Sequence, residues 1–193
     1  EIDAGGRASR SLSRTAPVQG NNLTLTLDVK LQEMAEKAFG DRRGALVAIE
    51  PATGGILALV SAPSFDPNLL VDAIRSDDWE LLNNSPDRPM LNRALNGAYP
   101  PGSTFKPFMA LAALETGKRT AGQTIADPGV FNFGGQQFRD DKKGGHGTVD
   151  MYKSIVQSCD TYYYMLANDM GIDSIARFMA QVGLGQRTGI DIE

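Results

Sequence analysis

The 193-residue sequence holds one cysteine, Cys159, one histidine, His146, and one tryptophan. A lone cysteine excludes an internal disulfide and leaves the redox compartment undecided. No run of 18 or more apolar residues occurs, so nothing in this stretch reads as a membrane span, and no signal peptide is visible. Basic excess is missing too. Lys and Arg number 19 against 23 Asp and Glu, for a net charge of −4. Without a basic stripe, no nucleic-acid partner is expected. Internal repeats are absent. What is present is ordinary globular composition, 41% apolar and 22% charged, in a length one domain can fill. The first residue is Glu rather than Met, so the stretch is expected to be a piece of a longer chain.

Residues 1–22, rich in Gly, Ser and Arg, read as a linker or the tail of a preceding domain, with Arg7, Arg10 and Arg14 on a solvated face. Residues 23–193 follow as the folded domain. Leu23–Leu27 alternates Leu and Thr, a short strand pattern. Asp28 offers an N-cap to VKLQEMAEKAF, with an apolar stripe at 31, 34, 35, 38 and 39 and Gly40 suited to the C′ position. Two β-rich runs, Ala45–Glu50 and Gly55–Ser61, flank Pro51-Ala52-Thr53-Gly54 and predict an antiparallel hairpin. Five prolines make residues 62–100 mostly loop, with one short helix around Leu69–Arg75. A helix with apolar positions 105, 108, 109, 111 and 114 is predicted to end at Gly117, before a polar, Gly-rich stretch over 118–147. Further helices are expected over 148–169, broken near Ser158, and over 173–182. One hairpin beside several helices predicts an α+β fold, helices on an antiparallel sheet.

The run Pro100-Pro101-Gly102-Ser103-Thr104-Phe105-Lys106-Pro107 carries the chemistry. Pro and Gly make a stiff turn just before the helix, and Pro107 is tolerated in a first turn whose N–H groups lack intrahelical partners. Ser103 then lies at a helix N-terminus, where free N–H groups favour developing negative charge. Lys106, three residues on, shares its face, so the amine can reach the hydroxyl. A serine is a weak nucleophile until a base removes its proton, and a lysine serves when its surroundings lower its pKa. Alone, S-x-x-K reads equally as a capping serine beside a solvated lysine.

The extended run NRALNGAYPPGSTFKP, Asn92 to Pro107, resembles the class B penicillin-binding proteins, whose first signature is S-x-x-K. LTLDVKLQEMAEKAF is similar to the helix opening their transpeptidase domain, GALVAIEPATGGILALVSAPSFDPN to its first two strands, and GLGQRTGIDIE to a later G-x-G-x-x-T-G-I-D segment. The pattern is most similar to the elongation-specific penicillin-binding protein 2 group. Their second signature, S-x-N, is matched by Ser158-Cys159-Asp160, where Asp replaces Asn as in that group. An Asp cannot donate through an amide, so it is expected to orient Lys106 or Ser158. Outside the family, Ser158 would read as an N-cap for TYYYMLANDM. Arg187-Thr188-Gly189 mimics the third signature, K-T-G, but sits in a segment that precedes it in the family; no K-T-G occurs in these residues. The resemblance implies the first part of a serine β-lactamase-like transpeptidase domain.

Asp127, Asp140, Asp141, His146 and Cys159 fall in one neighbourhood of the sequence. Asp, His and Cys suit tetrahedral zinc, and four of them would make a closed structural site fastening the 127–147 loop to the Ser158 loop. The spacing matches no standard template, leaving an inert buried thiol, a surface histidine and solvated carboxylates as the other reading. Some penicillin-binding protein 2 members carry zinc bound by this mixture, and the resemblance implies Asp127, Asp140, His146 and Cys159 as ligands, with Asp141 the rival carboxylate. No organic cofactor is expected. Tyr162, Tyr163 and Tyr164 read as helix packing and the methionines as core filler.

The family reading implies a D,D-transpeptidase cross-linking peptidoglycan stem peptides during cell elongation. Ser103 would be the nucleophile, Lys106 its base, Ser158 a proton relay and Asp160 an orienting group. β-Lactams would acylate Ser103. Implied partners are membrane proteins of the elongation machinery, including a glycosyltransferase. The implied location is the periplasmic face of the inner membrane, with an anchor preceding this stretch. A β-lactamase or β-lactam sensor, and a non-catalytic scaffold keeping the fold, are the alternatives.

Overall fold

The computed structural model describes residues 13, 15–71 and 74–192; Arg7, Arg10 and Arg14 lie outside these residues. The chain divides into two compact units, Glu1–Ala98 and Tyr99–Glu193.

In the first unit, helix α1 spans Val29–Phe39. The Asp28 carboxylate accepts from the Lys30 and Leu31 N–H groups at 2.9 and 3.1 Å, and Gly40 closes the helix at φ 52°. These are the capping roles expected of a carboxylate before the first turn and a glycine after the last. The buried face runs through Ala35, while Met34 is two-thirds exposed. A polar stitch fixes the helix to its strand. The Gln32 side chain donates to the Leu59 carbonyl and accepts from the Leu59 N–H, at 3.0 and 2.8 Å.

Strands β1 (Gly44–Ile49) and β2 (Ile56–Ala62) pair antiparallel, with Gly44 opposite Ala62 and Ile49 opposite Ile56. Ala58, Val60 and Ala62 alternate onto the buried side of β2. Leu23–Leu27 forms no strand. It holds to β2 through the Thr26 hydroxyl on the Ile56 carbonyl, and Asp28 N–H on the Leu57 carbonyl follows. Leu23 and Leu25 stay exposed, so the alternation has no covered face to serve.

The helix expected around Leu69–Arg75 is displaced. A 3₁₀ turn occupies Pro67–Leu70 and helix α2 spans Ser76–Asn84, its first turn carrying Asp77 and Asp78. The short helix α3 (Arg93–Asn96) is capped by the Asn92 side chain.

In the second unit a 3₁₀ turn, Gly102–Phe105, leads into helix α4, Lys106–Glu115. The helix is rotated from the expected apolar stripe. Lys106, Met109, Ala110, Ala112 and Ala113 face inward, and Phe108, Leu111 and Leu114 are 43–47% exposed. Small alanines allow close approach to neighbouring helices, which the larger side chains would prevent. Strands β3 (Ile125–Asp127) and β6 (Gly147–Val149) pair antiparallel, as do β4 (Val130–Phe133) and β5 (Gln136–Arg139). All four lie in or against the stretch read as Gly-rich loop. β5 is exposed throughout and so shows no apolar alternation. Its hairpin turn, Gly134-Gly135, has φ 58° and 78°, as a tight two-residue turn requires.

Helices α5 (Met151–Val156), α6 (Asp160–Met170) and α7 (Ile172–Gln181) complete the unit. Met109, Val149, Tyr162, Leu166, Met170, Phe178 and Met179 form its core. A fully buried Leu such as Leu166 contributes about 1.5–3 kcal/mol. The helices beside antiparallel ladders make this an α+β fold, as expected.

Candidate functional site

Ser103 sits exposed in the 3₁₀ turn, while Lys106, at its end, is 9% exposed. The break between α5 and α6 supplies the other side of the site. Ser158 adopts φ 55°, a left-handed conformation that costs a non-glycine residue energy. That kink projects Ser158 and Asp160 toward Lys106. The Lys106 amine donates to the Ser158 carbonyl at 2.5 Å, the Ser158 hydroxyl at 3.0 Å and the Asp160 carboxylate at 2.5 Å. An ammonium has three donors, and three acceptors surround it here. The Ser158 hydroxyl in turn donates to Ser103 Oγ at 2.9 Å.

The four residues expected from sequence therefore come together, with one difference. No hydrogen bond joins Lys106 to Ser103; Ser158 lies between them. Asp160 meets Lys106, one of the two partners expected for it. The N-cap of α6 is Cys159, whose Sγ accepts from Tyr162 N–H at 3.4 Å, rather than Ser158. Sequence reading missed Tyr163. Its ring lies 5.7 Å from the Lys106 amine, within cation–π range, and its hydroxyl meets Ser154 Oγ at 3.1 Å. The Tyr162-Tyr163-Tyr164 run was the available signal. Tyr162 and Tyr163 are buried, and Tyr164 packs against Phe131 and Phe138.

Cys159, between the two site residues, points the other way. Ligand atoms of Asp127, Asp140, His146 and Cys159 all lie within 4.8 Å of one another. His146 Nδ1 is 3.0 Å from Asp127 Oδ2 and 3.2 Å from Asp140 Oδ1, and Cys159 Sγ is 3.4 Å from Asp127 Oδ2. Ligands at tetrahedral zinc, with bonds of about 2.0 Å to N and O and 2.3 Å to S, are about 3.3–3.5 Å apart. The donor set and its spacing fit zinc. Exposed Asp141 groups instead with Asp140 and Asp160, so Asp140 is the carboxylate that joins this set.

Local backbone explains the convergence. Asp127 ends β3 and takes the Gly129 and His146 N–H groups, both at 2.7 Å. Lys153 holds the His146 and Thr148 carbonyls at 2.8 and 2.7 Å. Gly145 packs so closely on Asp127 O and Gly129 N that a Cβ would overlap both. The Thr161 N–H, in the first turn of α6, donates to Asp140 Oδ2 at 2.9 Å.

Electrostatics follow from crowding. Burial pushes the Asp127 carboxyl up, but the Gly129 and His146 N–H groups and the Thr161 and His146 side chains outweigh it, leaving it below its ordinary value. For Asp140, burial is outweighed by the Thr161 N–H, a hydrogen bond shared with Asp141, and the Lys142 N–H, which hold it well below the carboxylate range. Sharing with Asp140 raises Asp141. Burial pushes the Cys159 thiol up to about 12, opposed by the Tyr162 N–H and reinforced by the charges of Asp127 and Asp140.

With this geometry in place, the chain can be assigned to a class. Residues 44–193 match the penicillin binding protein transpeptidase domain, and the chain belongs to that family. Over its whole length it is 50% identical to peptidoglycan D,D-transpeptidase MrdA of Acinetobacter baumannii, spanning 29% of that protein. It is 45% identical to a crystal structure of Pseudomonas aeruginosa PBP2, covering 87% of this chain and 39% of that one, with TM-score 0.81. A complex of Helicobacter pylori PBP2 with MreC gives 35% identity and TM-score 0.83, covering 98% of this chain and 35% of that one. The chain thus spans less than a third of the length of the MrdA relatives it matches.

Proposed function

We propose that this chain supplies the nucleophile side of a peptidoglycan D,D-transpeptidase of the elongation type. The observation carrying the reading is the contact chain from Ser103 through Ser158 to Lys106 and Asp160. Ser103 Oγ attacks the carbonyl of the penultimate D-alanine of a stem peptide. Its proton passes along Ser158 to the Lys106 amine, which must first be unprotonated. Ser158 then returns a proton to the departing D-alanine nitrogen, leaving an acyl ester on Ser103. An amine of a second stem peptide attacks that ester, forming the cross-link and restoring the serine. Asp160 holds Lys106 in place, and the Ser103 N–H serves as one oxyanion donor, a kind of contact worth about 10²–10³ in rate. β-Lactams enter by the same attack.

The parent protein works at the periplasmic face of the inner membrane with elongation proteins, among them a glycosyltransferase. The named complex of a relative with MreC supports partners of that machinery. Among the described residues no helix is long and apolar enough to cross a membrane. Asp127, Asp140, His146 and Cys159 would hold a zinc ion, which would supply a structural cross-link between the 127–147 segment and the start of α6. Cys159 lies between Ser158 and Asp160, so its place in that set would brace both neighbours.

The test is β-lactam acylation of the full-length protein. A long-lived adduct that disappears in Ser103→Ala supports the reading. Rapid hydrolysis of the adduct would indicate a β-lactamase, and labelling that survives Ser103→Ala would remove the catalytic assignment.

A further inference from the structure

Tyr163 is buried in α6, and the Lys106 amine lies over its ring, 5.7 Å from the centroid. Asp160 and Tyr163 are three residues apart on that helix, so one face brings both to the amine. The oxygens around Lys106 accept its N–H groups; the ring offers an aromatic face, whose quadrupole attracts a cation within about 6 Å. Neighbours fix the ring in place. The Tyr163 hydroxyl meets Ser154 Oγ at 3.1 Å, and fully buried Ser154 donates to the Met151 carbonyl at 2.7 Å. The Tyr162 ring packs edge-on at 5.3 Å. Burial pushes the Tyr163 hydroxyl up, so the side chain meets Lys106 as a neutral ring.

We propose that Tyr163 is a positioning residue of the acyl transfer, its ring face holding the Lys106 amine and favouring the ammonium that forms as the Ser103 proton arrives through Ser158. The inference rests on the acyl-transfer reading above. Lys106 is buried, so water screens that charge poorly and the ring counts for more than it would at the surface. The alternative is a core tyrosine that only fills space between α5 and α6. Fluorination separates the two, since it drains the ring face of negative potential and barely changes its shape.

The experiment measures β-lactam acylation rates of the full-length protein on the plateau of the pH profile, where Lys106 starts unprotonated. Tyr163→Phe should stay near the unsubstituted rate, because the ring remains. Mono-, di- and trifluorophenylalanine placed at position 163 should then slow acylation step by step, about 5–30-fold in all, with unfolding midpoints matching Tyr163→Phe. Tyr163→Leu should be as slow as the most fluorinated variant; if it does not fold, the fluorinated series carries the test. Equal rates across that series, or Tyr163→Phe as slow as its trifluoro counterpart, overturn the inference while the nucleophile assignment stands. No adduct on Ser103 in the unsubstituted protein overturns both.

Discussion

Two polar clusters of the second unit share one tripeptide, Ser158-Cys159-Asp160, and treat charge in opposite ways. On one side an exposed serine is joined through Ser158 to a buried lysine, whose amine is matched by three acceptors. That arrangement is open to solvent at Ser103 and balanced in charge within, which suits moving a proton. On the other side two carboxylates, an imidazole and a thiol crowd together under burial, with the thiol pushed up to about 12. This side has acceptors in excess and suits holding a cation. The kink at Ser158 is what lets neighbouring residues face different clusters.

The comparison breaks most sharply at Lys106. Lys106→Met leaves Asp160 without its partner and Ser103 without a proton sink, so acylation should fall about 10²–10⁴-fold. Stopped-flow acylation rates check this; a loss confined to zinc content would reverse the assignment of the two sides. Next is Gly145→Ala. Its φ of 77° and the overlap of any Cβ with Asp127 O and Gly129 N predict a destabilisation of about 2–4 kcal/mol. Denaturant unfolding should show it, with zinc content falling as well. The smallest effect concerns pH in metal-free protein. Asp127 and Asp140 have folded values below their ordinary 3.8. Their stabilisation is therefore full above that pH and lost as pH falls through the depressed values. Unfolding free energy should decline as pH drops below about 4; stability that rises on acidification would contradict the carboxylate environment described.

The sequence was most legible where local rules decide. Asp28, Gly40 and the Pro51–Gly54 turn bound their elements as capping and turn chemistry require. It was least legible where tertiary contacts decide. α4 buries its alanines and Lys106 instead of Phe108, Leu111 and Leu114 because close approach to α6 and α7 outweighs side-chain size. β5 hides from any apolar pattern because none of its residues is buried. At the site, S-x-x-K and S-x-D pointed to residues that the fold brings together, yet spacing implied direct contact between Lys106 and Ser103. The interposed Ser158 depends on a left-handed kink that no spacing rule displays. Thr161 and Tyr163 were invisible as site neighbours because their types are those of ordinary helix packing.

The most direct test is mass spectrometry of the full-length protein, native and then digested, before and after exposure to a β-lactam. One zinc per chain and one acyl adduct are expected, the adduct carried by the peptide containing Ser103, with Cys159 unmodified. An adduct on any other residue, or a protein acylated normally with its zinc missing, would contradict that expectation.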